Sequence, residues 1–207
     1  MIIFEKNDSM ITDINQLDLS KQYTYADYVN WQFDELVELI RGKVVRMSPA
    51  PNTLHQSCSS NLHGLIWSYL RDKSCQAFTA PFDVRLPLPL TQQTDDKINT
   101  VVQPDLCVIC DIEKLDERGC NGAPDWVIEI LSKGTAQKDL KDKFEIYQHA
   151  GVREYWIVHP TEGTVLPYRL DKDGKYQLLR QRPFIQEEVI PVGIFPEFVL
   201  DLEIVFG

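Results

Sequence analysis

The order of apolar patterns along the 207 residues predicts an α/β fold built around a mixed central sheet. Three observations lead there. A helical stripe between Asn52 and Arg71 precedes three strand-like runs at about 75–87, 101–110 and 125–131. A second helical stripe, about 135–150, stops at Gly151, a residue suited to a left-handed helix end. The apolar run Glu154-Tyr-Trp-Ile-Val158 follows at once, as a strand returning to the sheet.

Taken in order, residues 1–22 are polar and irregular and read as a loose N-terminal arm, leaving 23–207 as one domain. A first helix is expected at about 25–40, ended by Arg41-Gly42 before a strand from Lys43 to Met47. Pro49-Ala-Pro51 forces a turn, and Asn52 or Thr53 caps the next helix, whose apolar face comprises Leu54, Cys58, Leu62, Leu65, Ile66 and Tyr69. Pro87 to Asp96 and Glu113 to Gly122 read as loops, Asp171 to Gly174 as a hairpin turn, and the C-terminus as short strands. The core thus carries extra strands at both ends.

A formal charge of −10 and a pI near 4.8 disfavour a broad basic surface for nonspecific nucleic-acid binding. Any such contact has to be local, cation-assisted or shared between subunits. The five scattered cysteines suggest reduced thiols in a cytosol, and Cys107-Val-Ile-Cys110, a lone pair inside a strand, is a weak zinc or redox signal. No signal peptide opens the chain and no run reaches the about 18–20 apolar residues of a membrane span, so a cytoplasmic protein without membrane contact is expected.

The chemistry starts from Glu129, a carboxylate inside the apolar run Trp126 to Leu131. An isolated buried charge is costly, so it must be neutralised, paired or bound to a metal. Asp105, behind Pro104 in the preceding strand, comes within reach if the two strands are neighbours. Two such carboxylates suit Mg²⁺ or Mn²⁺, which take few protein ligands and keep several waters. The bland alternatives are a turn-ending Asp105 and a Glu129 paired with a buried arginine.

On the following helix Leu140, Phe144 and Tyr147 form one stripe at about 100° per residue, and Lys143 lies at its edge while Lys138 and Lys141 point elsewhere. Lys143 either snorkels or pairs with the carboxylates. His55 leans toward the apolar side of its helix, where a structural histidine is the plainer reading and a phosphate-orienting one the alternative. Asp83 is a feasible third acidic ligand. Glu38, on a helix, would point away from the Phe33, Val37 and Ile40 stripe into solvent. His63, His149 and His159 show no metal-ligand pattern, and the four tryptophans sit in apolar-periodic segments as core. There is no Gly-rich phosphate loop, nucleophile elbow or zinc-helix motif.

Pro104-Asp105, Gly122 to Ser132, Asp139, Lys143, Tyr147 and Gly151 to Val158 together resemble the Uma-type family of restriction-endonuclease-like proteins, within the PD-(D/E)XK nuclease superfamily. Glu38 to Val45, His55-Gln56 and Asp83 to Leu86 resemble its N-terminal half, so the likeness runs over about residues 23–160. It implies a restriction-endonuclease-like αβββαβ core, a Mg²⁺ or Mn²⁺ cofactor, and phosphodiester hydrolysis in DNA. Asp105 and Glu129 match the metal-binding pair, and Glu38 becomes an additional site carboxylate. The superfamily's usual lysine, two positions after the glutamate, is Leu131 here. Lys143 is the best replacement as catalytic cation, with Lys133 a weaker candidate. His159 and Lys133 also depart from the family pattern, standing where aspartate and proline are common.

A homodimer is expected, since two copies would assemble a local positive groove that one acidic chain lacks. A catalytically inactive nuclease fold serving as an interaction or dimerisation module is the alternative. A small-molecule enzyme using the carboxylates as acid and base ranks last.

Overall fold

The computed structural model describes residues 10–47, 52–88, 94–132 and 137–207, with the side chains of 137–139 left aside. The Pro49-Ala-Pro51 turn, residues 1–9 of the arm, the middle of the Pro87 loop, Lys133, the helix start at Thr135 and the side chains of Lys138 and Asp139 lie outside the described residues.

In chain order the elements are α1 (Tyr25–Tyr28), β1 (Val37–Ile40), β2 (Lys43–Arg46), α2 (Thr53–Leu70), β3 (Gln76–Thr79), β4 (Val84–Arg85), β5 (Val101–Val102) and β6 (Leu106–Ile109). Then come β7 (Leu115–Asp116), β8 (Gly119–Asn121), β9 (Trp126–Ile130), α3 (Gln137–Ala150), β10 (Glu154–His159), β11 (Thr164–Leu170) and β12 (Tyr176–Leu178). The chain closes with β13 (Phe184–Ile185), β14 (Val189–Pro191), β15 (Val199–Asp201) and α4 (Leu202–Phe206). The expected αβββαβ core is α2, β3, β6, β9, α3 and β10. Its sheet runs β12-β11-β10-β9-β6-β3, with β9 and β10 parallel and the other neighbours antiparallel.

β9 is buried at every position because helices cover both faces of the sheet, which is why it reads as a continuous apolar run. Trp126, Ile128 and Ile130 join Cys58, Leu62, Ile66 and Leu70 of α2 on one face. Val127 packs with Ile146, Tyr147 and Ala150 of α3 on the other. The two-residue period of a strand therefore turns Glu129 to the α3 side. Gly151, at φ +87°, ends α3, and its N–H and that of Val152 close on the Tyr147 carbonyl at 3.1 and 3.0 Å.

Several expectations are corrected. The helix over 25–40 is one short turn, α1, followed by the hairpin β1–β2. Arg41 and Gly42, at φ 49° and 80°, form the two-residue turn of that hairpin instead of a helix stop. Three consecutive residues of β1, Val37 to Leu39, are buried, so no alternation marks it as a strand.

The runs 75–87 and 101–110 each break in two around a proline. β3 and β6 stay in the central sheet, whereas β4 and β5 join a second sheet ordered β2-β1-β5-β4-β8-β7. The Glu113 to Gly122 loop contains the short pair β7 and β8. Within the supposed loose arm, Ile14 and Leu17 are buried against Val37. Cys75 and Cys110 form a disulfide across β3 and β6, so the expectation of five reduced thiols does not hold; Cys58, Cys107 and Cys120 are free and buried.

Glu154 is a second carboxylate hidden in this sheet, fully buried. It accepts bonds from Trp156 Nε1 at 2.8 Å, Gly193 N at 3.0 Å and Ile194 N at 2.8 Å, tying the segment before β15 to β10. Glu154→Ala leaves these donors without a partner and is expected to cost about 2–4 kcal/mol, measured by chemical denaturation. A loss under about 0.5 kcal/mol would show that water or the backbone replaces the carboxylate.

Candidate active site

The crossing from the second sheet into the central one builds the site. The chain leaves β5 at Val102, passes through Gln103-Pro104-Asp105 and enters β6. Pro104 has no N–H for a ladder, so the strand breaks there and Asp105 lies at the entry of β6. The β6–β9 register pairs Leu106 with Ile128, so one step outward sets Asp105 across from Glu129. The Asp105 carboxylate accepts from the Ile130 N–H at 2.7 Å and lies 3.3 Å from His55 Nε2.

Glu129 meets α3. Its Oε1 accepts from Lys143 Nζ at 3.1 Å and from the Tyr147 hydroxyl at 2.7 Å. Burial pushes the Glu129 carboxyl up to about 7; Lys143 opposes this, and the nearby Asp105 and Glu38 charges add to it. For Lys143, burial disfavours the charged form, but Glu129 and Glu38 outweigh it and its pKa is raised. Lys143 thus stays a cation, and Glu129 changes charge near neutrality.

Glu38 is placed very differently from the sequence expectation. It lies on strand β1 with 5% of its surface exposed, and its Oε1 is 2.9 Å from Lys143 Nζ. The same oxygen accepts from the Gln103 N–H at 2.8 Å. Reading 25–40 as a helix turned Glu38 outward; as a strand, it faces away from Val37 and Leu39 and toward α3. Sequence reasoning also missed Gln103 and Tyr147 as structural partners of the site carboxylates. The position of Gln103 directly before Pro104-Asp105 was the available signal for the first, and the Lys143-x-x-x-Tyr147 spacing on one helix face was the signal for the second.

Asp83 does not join Asp105 and Glu129. Its Oδ1 accepts from Gln103 Nε2 at 2.7 Å and from the Tyr28 hydroxyl at 3.1 Å, so it supports the Gln103 segment from behind. His55 is buried, and the bond to Asp105 raises its pKa against the effect of burial. The backbone N–H of His55 is capped by Asn52 at 2.9 Å, which fixes the first turn of α2 beside Asp105. The buried stripe of α2 starts at His55 and continues through Cys58, Leu62 and Ile66, while Leu54 is exposed. Leu131, at the usual lysine position, packs half-buried against the apolar cluster of α3.

Among the described residues, no three His, Cys, Asp or Glu side chains converge as a preformed metal cage. The two oxygen donors Asp105 and Glu129 nevertheless fit Mg²⁺ or Mn²⁺, which use one or two carboxylates and waters. Glu38, Asp105 and Glu129 together outnumber Lys143, and this excess of negative charge favours a cation. A 630 Å³ cleft lined by residues such as Asp111, Asn121, Asp125 and Arg153 contains none of these groups. Among the described residues no helix is long and apolar enough to cross a membrane.

An uncharacterized protein of Synechocystis sp., slr1290, is 24% identical over 179 residues, covering 85% of this chain and 88% of its own length. The crystal structure of a protein from Anabaena variabilis, titled a "putative nuclease belonging to DUF820", superimposes with a TM-score of 0.66. That alignment has 22% identity and covers 89% of this chain and 97% of the other, which shows a shared fold. The Uma2 family model, described as "Putative restriction endonuclease", matches residues 25–203, and the chain therefore belongs to that family, with its restriction-endonuclease-like core.

Proposed function

We propose that the protein is a divalent-cation-dependent endonuclease that hydrolyses phosphodiester bonds in DNA. The observation that carries this is the placement of Asp105 and Glu129 on facing strand ends with the Lys143 ammonium 3.1 Å from Glu129. Asp105 and Glu129 would hold Mg²⁺ or Mn²⁺. Such an ion supplies a nucleophilic hydroxide near neutral pH and a Lewis acid at the phosphoryl oxygen.

The chain's own residues do the rest. The Ile130 N–H and His55 keep the Asp105 carboxylate directed, and Tyr147 fixes Glu129. Lys143 sets a positive charge where negative charge develops on the phosphoryl oxygens. Three carboxylates around one lysine leave this sheet end, like the whole chain at −10, in need of a cation before it can meet a phosphate, and a homodimer would bring two such ends to one duplex. In this reading the protein acts in the cytoplasm.

Supercoiled plasmid incubated with purified protein is expected to be nicked or linearised with Mg²⁺ or Mn²⁺ and to stay intact with chelator. Asp105→Asn is expected to lower the rate at least about a hundredfold. Intact plasmid with folded protein across metals, pH and single- and double-stranded substrates would overturn the proposal. That result would favour the alternative of an inactive nuclease fold, to which Leu131 in the lysine position already points.

A further inference from the structure

We propose that Glu38 is a positioning residue that keeps Lys143 in the site when Glu129 exchanges the lysine for a cation. This rests on the cation-dependent reading above. Lys143 Nζ lies 2.9 Å from Glu38 and 3.1 Å from Glu129, so one ammonium bridges carboxylates from two different sheets. The two partners are not equivalent. Glu129 stands across from Asp105, where an ion would be held, and its bond to Lys143 competes with that ion for the same carboxylate.

Glu38 comes from the second sheet and meets Glu129 through the shared ammonium. The Glu38 oxygen that meets Lys143 is also held by the Gln103 N–H, and Gln103 is anchored in turn through Asp83 to Tyr28. A fixed carboxylate behind a lysine has one physical consequence. It retains the ammonium after Glu129 lets go, so the positive charge stays within reach of the phosphate instead of leaving the site or blocking the cation. Without Glu38, Lys143 keeps Glu129 as its ion-pair partner, and cation binding has to break that pair.

The test is a double-mutant cycle on Mn²⁺ affinity, measured by calorimetry for the wild type, Glu38→Gln, Lys143→Gln and the double variant. Glu38→Gln keeps the acceptor for Gln103 and removes the charge. It is expected to weaken Mn²⁺ binding about tenfold with Lys143 present and about two- to threefold in the Lys143→Gln background, the difference measuring the coupling through the lysine. Equal losses in both backgrounds would overturn the proposal and make Glu38 a ligand or a plain source of field.

A second readout uses metal-free protein. Acylation of the Lys143 amine, followed by mass spectrometry, is expected to quicken several-fold in Glu38→Gln, and an unchanged rate would overturn the proposal. Glu38→Asp, which keeps the charge but withdraws it by one methylene, serves if Glu38→Gln fails to fold and is expected to shift both readouts in the same direction. Neither readout requires DNA cleavage. A wild type that binds Mn²⁺ and leaves DNA intact sinks the nuclease reading alone, whereas one that binds no Mn²⁺ sinks the cation reading and with it the exchange assigned to Glu38.

Discussion

Glu129→Gln is expected to lose at least about a hundredfold in cation-dependent cleavage and yet to be as stable as the wild type, or more so, at pH 8. The first half follows from removing one of the two anionic oxygen donors. The second follows from burial. The Glu129 carboxyl is pushed up to about 7 from an ordinary 4.5, so the folded state prefers the protonated acid. For a raised group the favourable contribution is complete below the ordinary value and disappears as pH rises through the folded value.

At pH 8 the charged Glu129 is therefore a net cost, on the order of 3 kcal/mol at most, that glutamine does not carry. At pH 4 or below the advantage vanishes, because the wild type is then protonated as well. Denaturation curves at pH 4 and pH 8 check this. A variant more than about 2 kcal/mol less stable than the wild type at pH 8 would show that the carboxylate's bonds to Lys143 and Tyr147 outweigh its desolvation. Such a gain in stability on losing function is what a site that stores charge for a cation should show.

Lys143→Met should behave in the opposite way, losing both stability and activity. It leaves Glu38 and Glu129, 5% and 8% exposed, without their common cation. Breaking a buried ion pair from one side costs about 3–5 kcal/mol, because the partner stays buried and uncompensated. Here two partners are orphaned, although protonation of Glu129 near neutrality relieves one of them. The loss should consequently shrink as pH falls below neutrality, where the Glu129 carboxyl takes its proton. Cleavage should fall by about 10²–10³ if Lys143 stabilises charge at the phosphate. A variant that keeps its stability, or that cleaves at more than a tenth of the wild-type rate, would show that Lys143 only snorkels past the carboxylates.

Much of the central sheet was legible because its periodicities are strong. α2, α3, β9 and β10 fall close to the expected ranges, and the turn of Lys143 toward the sheet follows from its place beside Leu140, Phe144 and Tyr147. Of the second sheet only β2 was legible, expected from Lys43 to Met47 and found at Lys43–Arg46. β4 and β5 are two residues each, and β1 is buried at three consecutive positions, so none shows the alternation that announces a strand.

What the sequence by itself determined is local: a buried acid at Glu129, an acid behind Pro104, a lysine on the facing helix, and the αβββαβ order that brings them to neighbouring elements. What only the tertiary structure decided is which carboxylates share the lysine. Glu38 joins the site because the chain breaks at Pro81 and Pro104, crosses between two sheets, and sets β1 against α3. Side-chain direction on β1 depends on strand geometry, and strand pairing is a contact between distant residues. No window of the sequence around Glu38 contains Gln103 or Lys143, so its burial and its partners could be read only from the folded chain.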